Sequence, residues 1–412
     1  MSRRRTILAL AIISQAAIAT ISFGLPAIAL DVRSALHVGP AGFGAVYAAP
    51  GLGSAAMLIP AGMLVDRLGG RRVLLAGGAI NCIGDVAAGL SHSPWAFAAG
   101  LLVAGAGGAA VPVAGMTSLL REFSPAERGM AMGWRQLAVP LGGTIGSVAL
   151  PALVSLGGVR LALISAGVAA GLAAAAFSLV PEASPTATTG GRGLDGALSV
   201  PGMRALIVCG VLYAWALGGI LTYYTSAARH EGLTAGLAAA GFTVLNLTAA
   251  AARPIWGRLD DRGHGTHRAQ TLRNTGIVAA VAAASMPLAL AAGAAPALLA
   301  TALVSFGIFG FNGVLYLLAG ELAGEARAGR AVGIASTVVF GFSSVASPVA
   351  GLAIESNGYG AVWVIAAVTA AAGAVAAMRL PHASAGYSGT GQAVQPTITT
   401  TAPPGRTQRP GA

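Results

Sequence analysis

"GMLVDRLGGRR", Gly62 to Arg72, is a charged phrase set between two long apolar runs, and its skeleton returns downstream in "GRLDDRGHGTHR", Gly257 to Arg268. Gly62 and Gly257, Leu64 and Leu259, Asp66 and Asp261, and Arg67 and Arg262 each stand 195 residues apart in a chain of 412. One phrase written twice at nearly half the chain length marks an internal duplication. Both copies fall in the break between the second and third apolar run of a half. The halves therefore keep the same orientation, as a parallel repeat about an axis along the membrane normal.

Composition requires that membrane. The chain is 55% hydrophobic and 9% charged, with a mean hydropathy of +0.76, whereas soluble domains carry about 25% charged residues. Apolar runs of about 20 residues between polar breaks place spans near 6–30, 41–65, 73–91, 95–120, 129–155 and 159–180. A second set follows near 204–228, 235–256, 274–293, 297–320, 331–354 and 361–380. The expected fold is all-α and integral to the membrane: twelve transmembrane helices in two six-helix bundles related by a pseudo-twofold axis along the membrane normal.

Residues 1–180 form the first bundle and 204–380 the second. Residues 181–203, rich in Pro, Thr and Gly, are a flexible linker, and the tail 381–412 has too little apolar content to fold. The N-terminus imitates a signal peptide, with Arg3 to Arg5 before an apolar core and Ala27-Ile28-Ala29 as a cleavage-like site. Its apolar stretch from Thr6 to Leu30 exceeds a signal core of about 7 to 15 residues and is long enough to span.

Arginine sets the orientation. Arg3 to Arg5, Arg67, Arg71, Arg72, Arg121, Arg128, Arg192, Arg204, Arg258, Arg262, Arg268, Arg273, Arg327 and Arg330 fall at the start or in alternate breaks, while the opposite breaks hold Arg33, Arg160 and Arg229. The positive-inside rule then places both termini in the cytoplasm.

Several chemistries are excluded. All 24 basic residues are arginine, so no lysine is present for a P-loop or a Schiff base, and neither ATP nor a cofactor is expected. Cys82 and Cys209 lie inside apolar runs without ligand spacing, and His264 and His267 sit in a polar loop without a cysteine. No metal site follows. A membrane enzyme would need clustered His, Asp or nucleophile–base residues within the spans, and the sequence supplies none. Nucleic acid is not an expected partner.

Gly62, Leu64, Asp66, Arg67, Gly69, Arg71 and Arg72 resemble the complete G-x-L-x-D-R-x-G-x-R-R loop of the major facilitator superfamily. The second copy keeps Gly257, Leu259, Asp261, Arg262 and the later Arg268 but shifts the second glycine. The resemblance covers nearly the whole chain. It implies alternating access by two rocking bundles, with Asp66 capping a neighbouring helix end and pairing with arginine across the interface to hold the cytoplasmic side shut. A carboxylate is favoured at a helix N-terminus, and contacts made in one state only bias the equilibrium between states. The rival reading of the loop is a topogenic signal whose arginines merely enforce orientation.

Two other signatures of that family are degraded. "GAGGAA", Gly105 to Ala110, is similar to the glycine end of its fourth-helix motif, but Leu101 stands where the arginine would be. Pro140-Leu141-Gly142-Gly143 approximates the G-P-x-x-G-G signature of drug/proton antiporters, with Val139 in place of its glycine. Together with Arg135-Gln136, this stretch resembles bacterial cyanate and nitroimidazole permeases.

Within the spans two ionisable residues stand out, Asp85 in the third and Arg135 in the fifth. Each costs about 2.5 to 3.5 kcal/mol at a helix centre on insertion scales. Arg135 either snorkels to the surface or faces the interior to bind an anionic or polar group. Asn81 and Asp85 share a helical face, and Asp85 is either a locally paired carboxylate or a protonation site. The sequence reading assigns no mid-membrane charge to the second half.

In the resembled family the first, fourth, seventh and tenth helices line the central site, aided by the second, fifth, eighth and eleventh. On these spans the candidate substrate-binding residues are Gln15, Arg135, Gln136, Tyr213, Asn246, Asn312 and Tyr316, with Trp215 and Tyr223 as further polar aromatics. Asn312 and Tyr316 share a face. Trp95, Trp256 and Trp363 sit at span ends and read as interface anchors.

The expectation is a monomeric, multi-pass secondary transporter of the bacterial inner membrane that moves a small organic solute, with protons as a candidate coupling partner. A small polar or anionic substrate fits Arg135. Efflux of hydrophobic drugs or natural products, and a non-transporting sensor on the same scaffold, remain open alternatives.

Overall fold

The structure is a computed structural model that describes residues 3–124, 127, 131, 134–179, 200–262, 268–324 and 328–380. The expected tail, and all but the end of the expected linker, lie outside those residues. Among them the chain is helical throughout, in eleven continuous stretches long and apolar enough to cross a bilayer.

One of the eleven is too long to be a single crossing. Trp134–Ser178 has 45 residues, about 68 Å at 1.5 Å per residue, against an apolar core of about 30 Å. Gly157 (φ −162°) and Gly158 (φ +71°) leave the helical region in its middle. The chain therefore reverses there, at the break expected between the fifth and sixth spans, and twelve transmembrane helices result.

In chain order these are α1 (Arg3–Leu36), α2 (Pro40–Leu68), α3 (Gly70–Leu90), α4 (Pro94–Leu119), α5 (134–156) and α6 (159–178). The second bundle holds α7 (Met203–His230), α8 (Ala235–Asp260), α9 (Arg268–Ala291), α10 (Ala294–Ala323), α11 (Ala331–Asn357) and α12 (Gly360–Ala377).

Small residues set the packing of these helices, as they do where lipid leaves no hydrophobic drive between them. A Cβ on Gly146 of α5 would lie 2.7 Å from Gly24 Cα of α1, so that pair of backbones meets only because both positions are glycine. α6 instead packs on α3, with Gly171 against Cys82 and Gly167 against Asp85. Outward faces carry large apolar side chains such as Ile83, Leu172 and Leu288, exposed to 65%, 66% and 76%, the surface that lipid acyl chains require.

Proline shapes two helices of the first bundle. α1 passes through one 3-10 turn, Leu25–Ile28, that contains Pro26. α4 is interrupted at Ala109, between Pro94–Gly108 and Ala110–Glu122. Pro112 has no N–H to donate to the Gly108 carbonyl, which breaks the helical ladder there.

The bundles meet along three seams: the end of α1 on α7, α2 on α11, and α5 on α8. The α2–α11 contacts run antiparallel, from Gly39 against Glu355, through Gly44 against Ser347, to Gly51 against Ser344. Nearer the arginine-rich face, a Cβ on Gly333 or Gly341 of α11 would meet nothing within 4 Å, and one on Gly62 of α2 would meet only Val113 of its own bundle. The close glycine contacts of this seam therefore sit on its arginine-poor side.

Of the three tryptophans expected as interface anchors, Trp95 is 83% exposed, as that role requires. Trp256 and Trp363 depart from that expectation, being 7% and 1% exposed. Trp256 Nε1 donates to Phe306 O at 2.9 Å, tying α8 to α10. Its position in sequence is a span end, but its face of α8 turns inward.

Candidate functional site

Arg135 enters α5 in its first turn, yet it does not reach for the surface. Its residue is 8% exposed, and its Nη2 donates to Pro112 O of α4 at 2.8 Å and to Gln15 Oε1 of α1 at 3.3 Å. Gly115 provides the room, since a Cβ there would come within 3.4 Å of Arg135 Nε. That Nε has no hydrogen-bond partner among the described residues.

A second arginine was missed by the sequence reading. Arg253 of α8 donates from Nη1 to Gln136 O at 2.6 Å, across the bundle interface, so the second half does carry a charge within its span. Tyr316 of α10 lies within electrostatic reach of it. Arg253 Nε is buried without a hydrogen-bond partner among the described residues, while Ser336 lies beside the Tyr316 hydroxyl. Among the described residues neither Arg135 nor Arg253 has a carboxylate partner.

The seam that brings Arg253 to Gln136 is antiparallel. Each step forward along α5, from Gln136 to Gly143 to Ser147, is matched by a step back along α8, from Arg253 to Asn246 to Thr243. Ser147 Oγ and Thr243 Oγ1 share a hydrogen bond of 2.8 Å. Asn246 is fully buried on this seam against Gly143, with Nδ2 donating to Phe242 O at 3.0 Å and Oδ1 unpartnered.

The other sequence candidates divide. Asn312 is half-buried one turn from Tyr316 on the same face, and its side chain makes no hydrogen bond among the described residues. Gln136 is exposed and Gln15 half-buried. Tyr213 does not join them. It is 1% exposed, with its hydroxyl donating to Leu272 O at 2.7 Å and its ring filling the spaces at Gly276 of α9 and Gly373 of α12. It is a packing element inside the second bundle, because α7 turns this residue away from the first.

Asp85 is 2% exposed between α3 and α6, its Cβ and carboxyl against Gly167. No local ion pair forms to it among the described residues, which departs from the paired reading. Asn81 faces α4 and donates to Ala104 O at 3.0 Å. Neither α3 nor α6 contributes to the arginine pair.

In the charged loop, Gly69 has φ +82°, the turn that lets α3 start at Gly70. Asp66, Arg67, Arg71 and Arg72 are exposed, and Asp66 makes no ion pair among the described residues. In the second copy Gly257 lies in open space, and the side chains of Asp261 and Arg262 lie outside the described residues. The charge that packs there is Asp260, also missed. It is 2% exposed, accepts from Thr271 Oγ1 at 3.1 Å and lies 3.7 Å from Arg268, which reaches Glu321 at 2.7 Å. At the same face Arg4 pairs with Glu127 at 3.1 Å, and two hydrogen bonds from Ser124, ahead of the Arg4 charge, hold the Glu127 carboxyl below the usual range.

A family profile described as "Major Facilitator Superfamily" matches residues 7–348. The chain belongs to the major facilitator superfamily. Similar proteins include an uncharacterized MFS-type transporter found in two strains of Mycobacterium tuberculosis, 28% identical over 334 residues that cover 79% of this chain and 74% of the relative. Among solved structures, a D-xylose–proton symporter has a TM-score of 0.76 at 14% identity, covering 92% of this chain and 99% of that one. The nucleoside transporter NupG has a TM-score of 0.73 at 15% identity (90% and 98% covered). A bacterial homologue of the human lysosomal transporter Spinster, in an inward-facing and unoccupied conformation, has 0.71 at 16% (92% and 95% covered). At such identities the structures share the fold alone. As a superfamily member the chain is a multi-pass secondary transporter and not an enzyme.

Proposed function

We propose that the chain moves a small organic anion across the bacterial inner membrane, bound between Arg135 of the first bundle and Arg253 of the second. The observation that carries this reading is the arginine pair itself. Among the described residues, two guanidinium groups from opposite bundles are held by neutral acceptors alone, and each keeps an unpartnered Nε. A cation within a span needs compensation, and a carboxylate or similar anion supplies it with charge-assisted hydrogen bonds. Gln15, Gln136, Asn312 and Tyr316 offer neutral polar groups around it.

The remaining assignments follow from the charge rule and the repeat. The arginine-rich face is cytoplasmic and holds both termini. Residues 1–180 and 204–380 are the two moving units, the linker 181–203 joins them, and the monomer is the working unit. In the conformation described, the arginine-poor face is closed and Asp66 is exposed, with no ion pair among the described residues. That supports a gate in which the Asp66 loop closes the cytoplasmic face when the other opens. Proton coupling needs a carboxyl that changes protonation within the span, and Asp85 is the buried one without a partner among the described residues.

The test is pH-dye fluorescence in proteoliposomes, with small organic anions and lipophilic cations added as separate panels. Anions are expected to evoke proton movement. Arg135→Gln and Arg253→Gln should each weaken the apparent affinity about ten- to hundredfold, the worth of a charged hydrogen bond of about 1.5 to 3 kcal/mol. A response to lipophilic cations alone, unchanged in both variants, would make the protein a drug exporter and the arginines structural.

A further inference from the structure

We propose that Tyr223 and Glu355 are the residues that latch the arginine-poor face shut, and that glycine at 351 is what allows the latch to close. The latch consists of three contacts between the bundles. Tyr223 of α7 donates to Pro40 O at 2.7 Å, Ala41 N at the start of α2 donates to Glu355 Oε1 of α11 at 3.0 Å, and Arg33 Nη1 at the end of α1 donates to Tyr359 Oη at 2.7 Å.

Tyr223 is the informative member. Its hydroxyl has one proton, and two carbonyls compete for it: Pro40 O in the first bundle and Ser347 O in its own, at 2.9 Å. Ser347 is fixed to α7 by a 2.7 Å hydrogen bond between its Oγ and Thr222 Oγ1. When the face opens, Tyr223 keeps a partner in its own bundle and strands no buried donor. The contact between Ala41 and Glu355 is equally reversible. Glu355 is exposed and returns to water, as does the Ala41 N–H, one of the first-turn donors that a helix leaves unsatisfied. A contact that breaks without leaving an orphan suits a gate that must open in every cycle.

The fit depends on close backbone approach. A Cβ on Gly351 would lie 2.6 Å from Ala41 Cα and 2.7 Å from Pro40 O, and nearer still to the Tyr223 hydroxyl. A Cβ on Gly44 would lie 2.5 Å from Ser347 O and would also meet Tyr223. Gly341, on the same helix as Gly351, has no such neighbour within 4 Å, which makes it a matched control.

Ala48 reports on the latch. It lies one turn beyond Gly44 on the same face of α2 and is 4% exposed. The full chain carrying Ala48→Cys is placed in proteoliposomes, and a membrane-impermeant maleimide is added from the arginine-poor side. The rate at position 48 is the difference from the same chain with Ala48 intact, which removes the contribution of Cys82 and Cys209.

Tyr223→Phe should raise that rate about two- to fivefold, the difference between a proton shared by Pro40 O and Ser347 O and one held by Ser347 O alone. Gly351→Ala should raise it about tenfold or more, and Gly341→Ala should leave it unchanged. Should Gly351→Ala fail to fold, Tyr223→Phe and Glu355→Ala carry the test together. Unchanged labelling in both would overturn the proposal, as would an equal rise in Gly341→Ala. Because no substrate is needed, the result is independent of the arginine-pair reading.

Discussion

The two copies of the charged phrase share a skeleton and differ in where they hide their charge. In the first copy Val65 is buried in an apolar cluster with Val73, Leu74, Val111 and Ala114, while the next residue, Asp66, stays exposed. In the second copy the residue equivalent to Val65 is Asp260, and it is the one buried, tied to Thr271 and Arg268, with Arg268 tied on to Glu321. One loop thus has an apolar footing and an exposed carboxylate. The other has a charged footing that joins α8, α9 and α10 into one block. At this position the two copies carry Val and Asp, and the aspartate ties the second copy to its own bundle.

The sharpest break of this comparison is Asp260→Ala. Removing Asp260 leaves Arg268, whose side chain is only 12% exposed, with the half-exposed Glu321 as its remaining counter-charge, and strips Thr271 of its acceptor. The expected loss is about 1.5 to 3 kcal/mol, read as a clear drop in melting temperature of the detergent-solubilised protein. Val65→Asp should also be strongly destabilising, because it places a carboxylate in the apolar cluster with no arginine there to meet it. Glu321→Gln should cost far less, about 0.2 to 1 kcal/mol, since the Glu321 side chain is 45% exposed. If Asp260→Ala melted like Glu321→Gln, the buried network would not be the footing of the second copy.

The next effect in size lies in the turn. Gly69 has φ +82°, where a side chain costs roughly 1 to 2 kcal/mol, so Gly69→Ala should lower the melting temperature measurably. Gly62→Ala should not, because its Cβ would come no nearer than 4.0 Å to Val113. The family loop contains both glycines, yet only one is required by backbone geometry in this structure. Equal losses in the two variants would show that close packing at position 62, and not the turn at 69, was misjudged.

Much of the fold was legible in the sequence because its signals are local. Apolar run length gave the spans, and the polar break at Gly157-Gly158 separated α5 from α6 where helical continuity alone would merge them. What stayed hidden depends on helix rotation and on pairing between helices. Arg253 stands close enough to the end of α8 to read as a boundary arginine, and only the antiparallel register of α5 on α8 brings it to Gln136. Tyr213 and Asn246 are polar residues on spans expected to line the site, but a quarter turn decides whether a hydroxyl meets substrate or Leu272 O. Asp261 aligns with Asp66 and drew attention away from Asp260, although the burial of Val65 at the matching position was the clue to which aspartate faces inward.

The smallest expected change in stability is the one that separates the two copies most cleanly. Asp66 is exposed and makes no ion pair among the described residues, so Asp66→Asn should leave the melting temperature unchanged to within about 0.5 kcal/mol. On the gate proposed above, its effect belongs to the opposite conformation, where the loop would close on the second bundle. A contact made in one state only shifts the equilibrium by its whole free energy, and for a charged hydrogen bond of about 1.5 to 3 kcal/mol that is a factor of about ten or more. Melting and solute-evoked proton movement measured on one preparation therefore give three distinguishable results. Full stability with lost transport assigns motion to the first copy and cohesion to the second. Full stability with normal transport reduces the first copy to an orientation signal. Lost stability would mean that Asp66, like Asp260, is part of the footing, and that the two halves are more alike than their burial indicates.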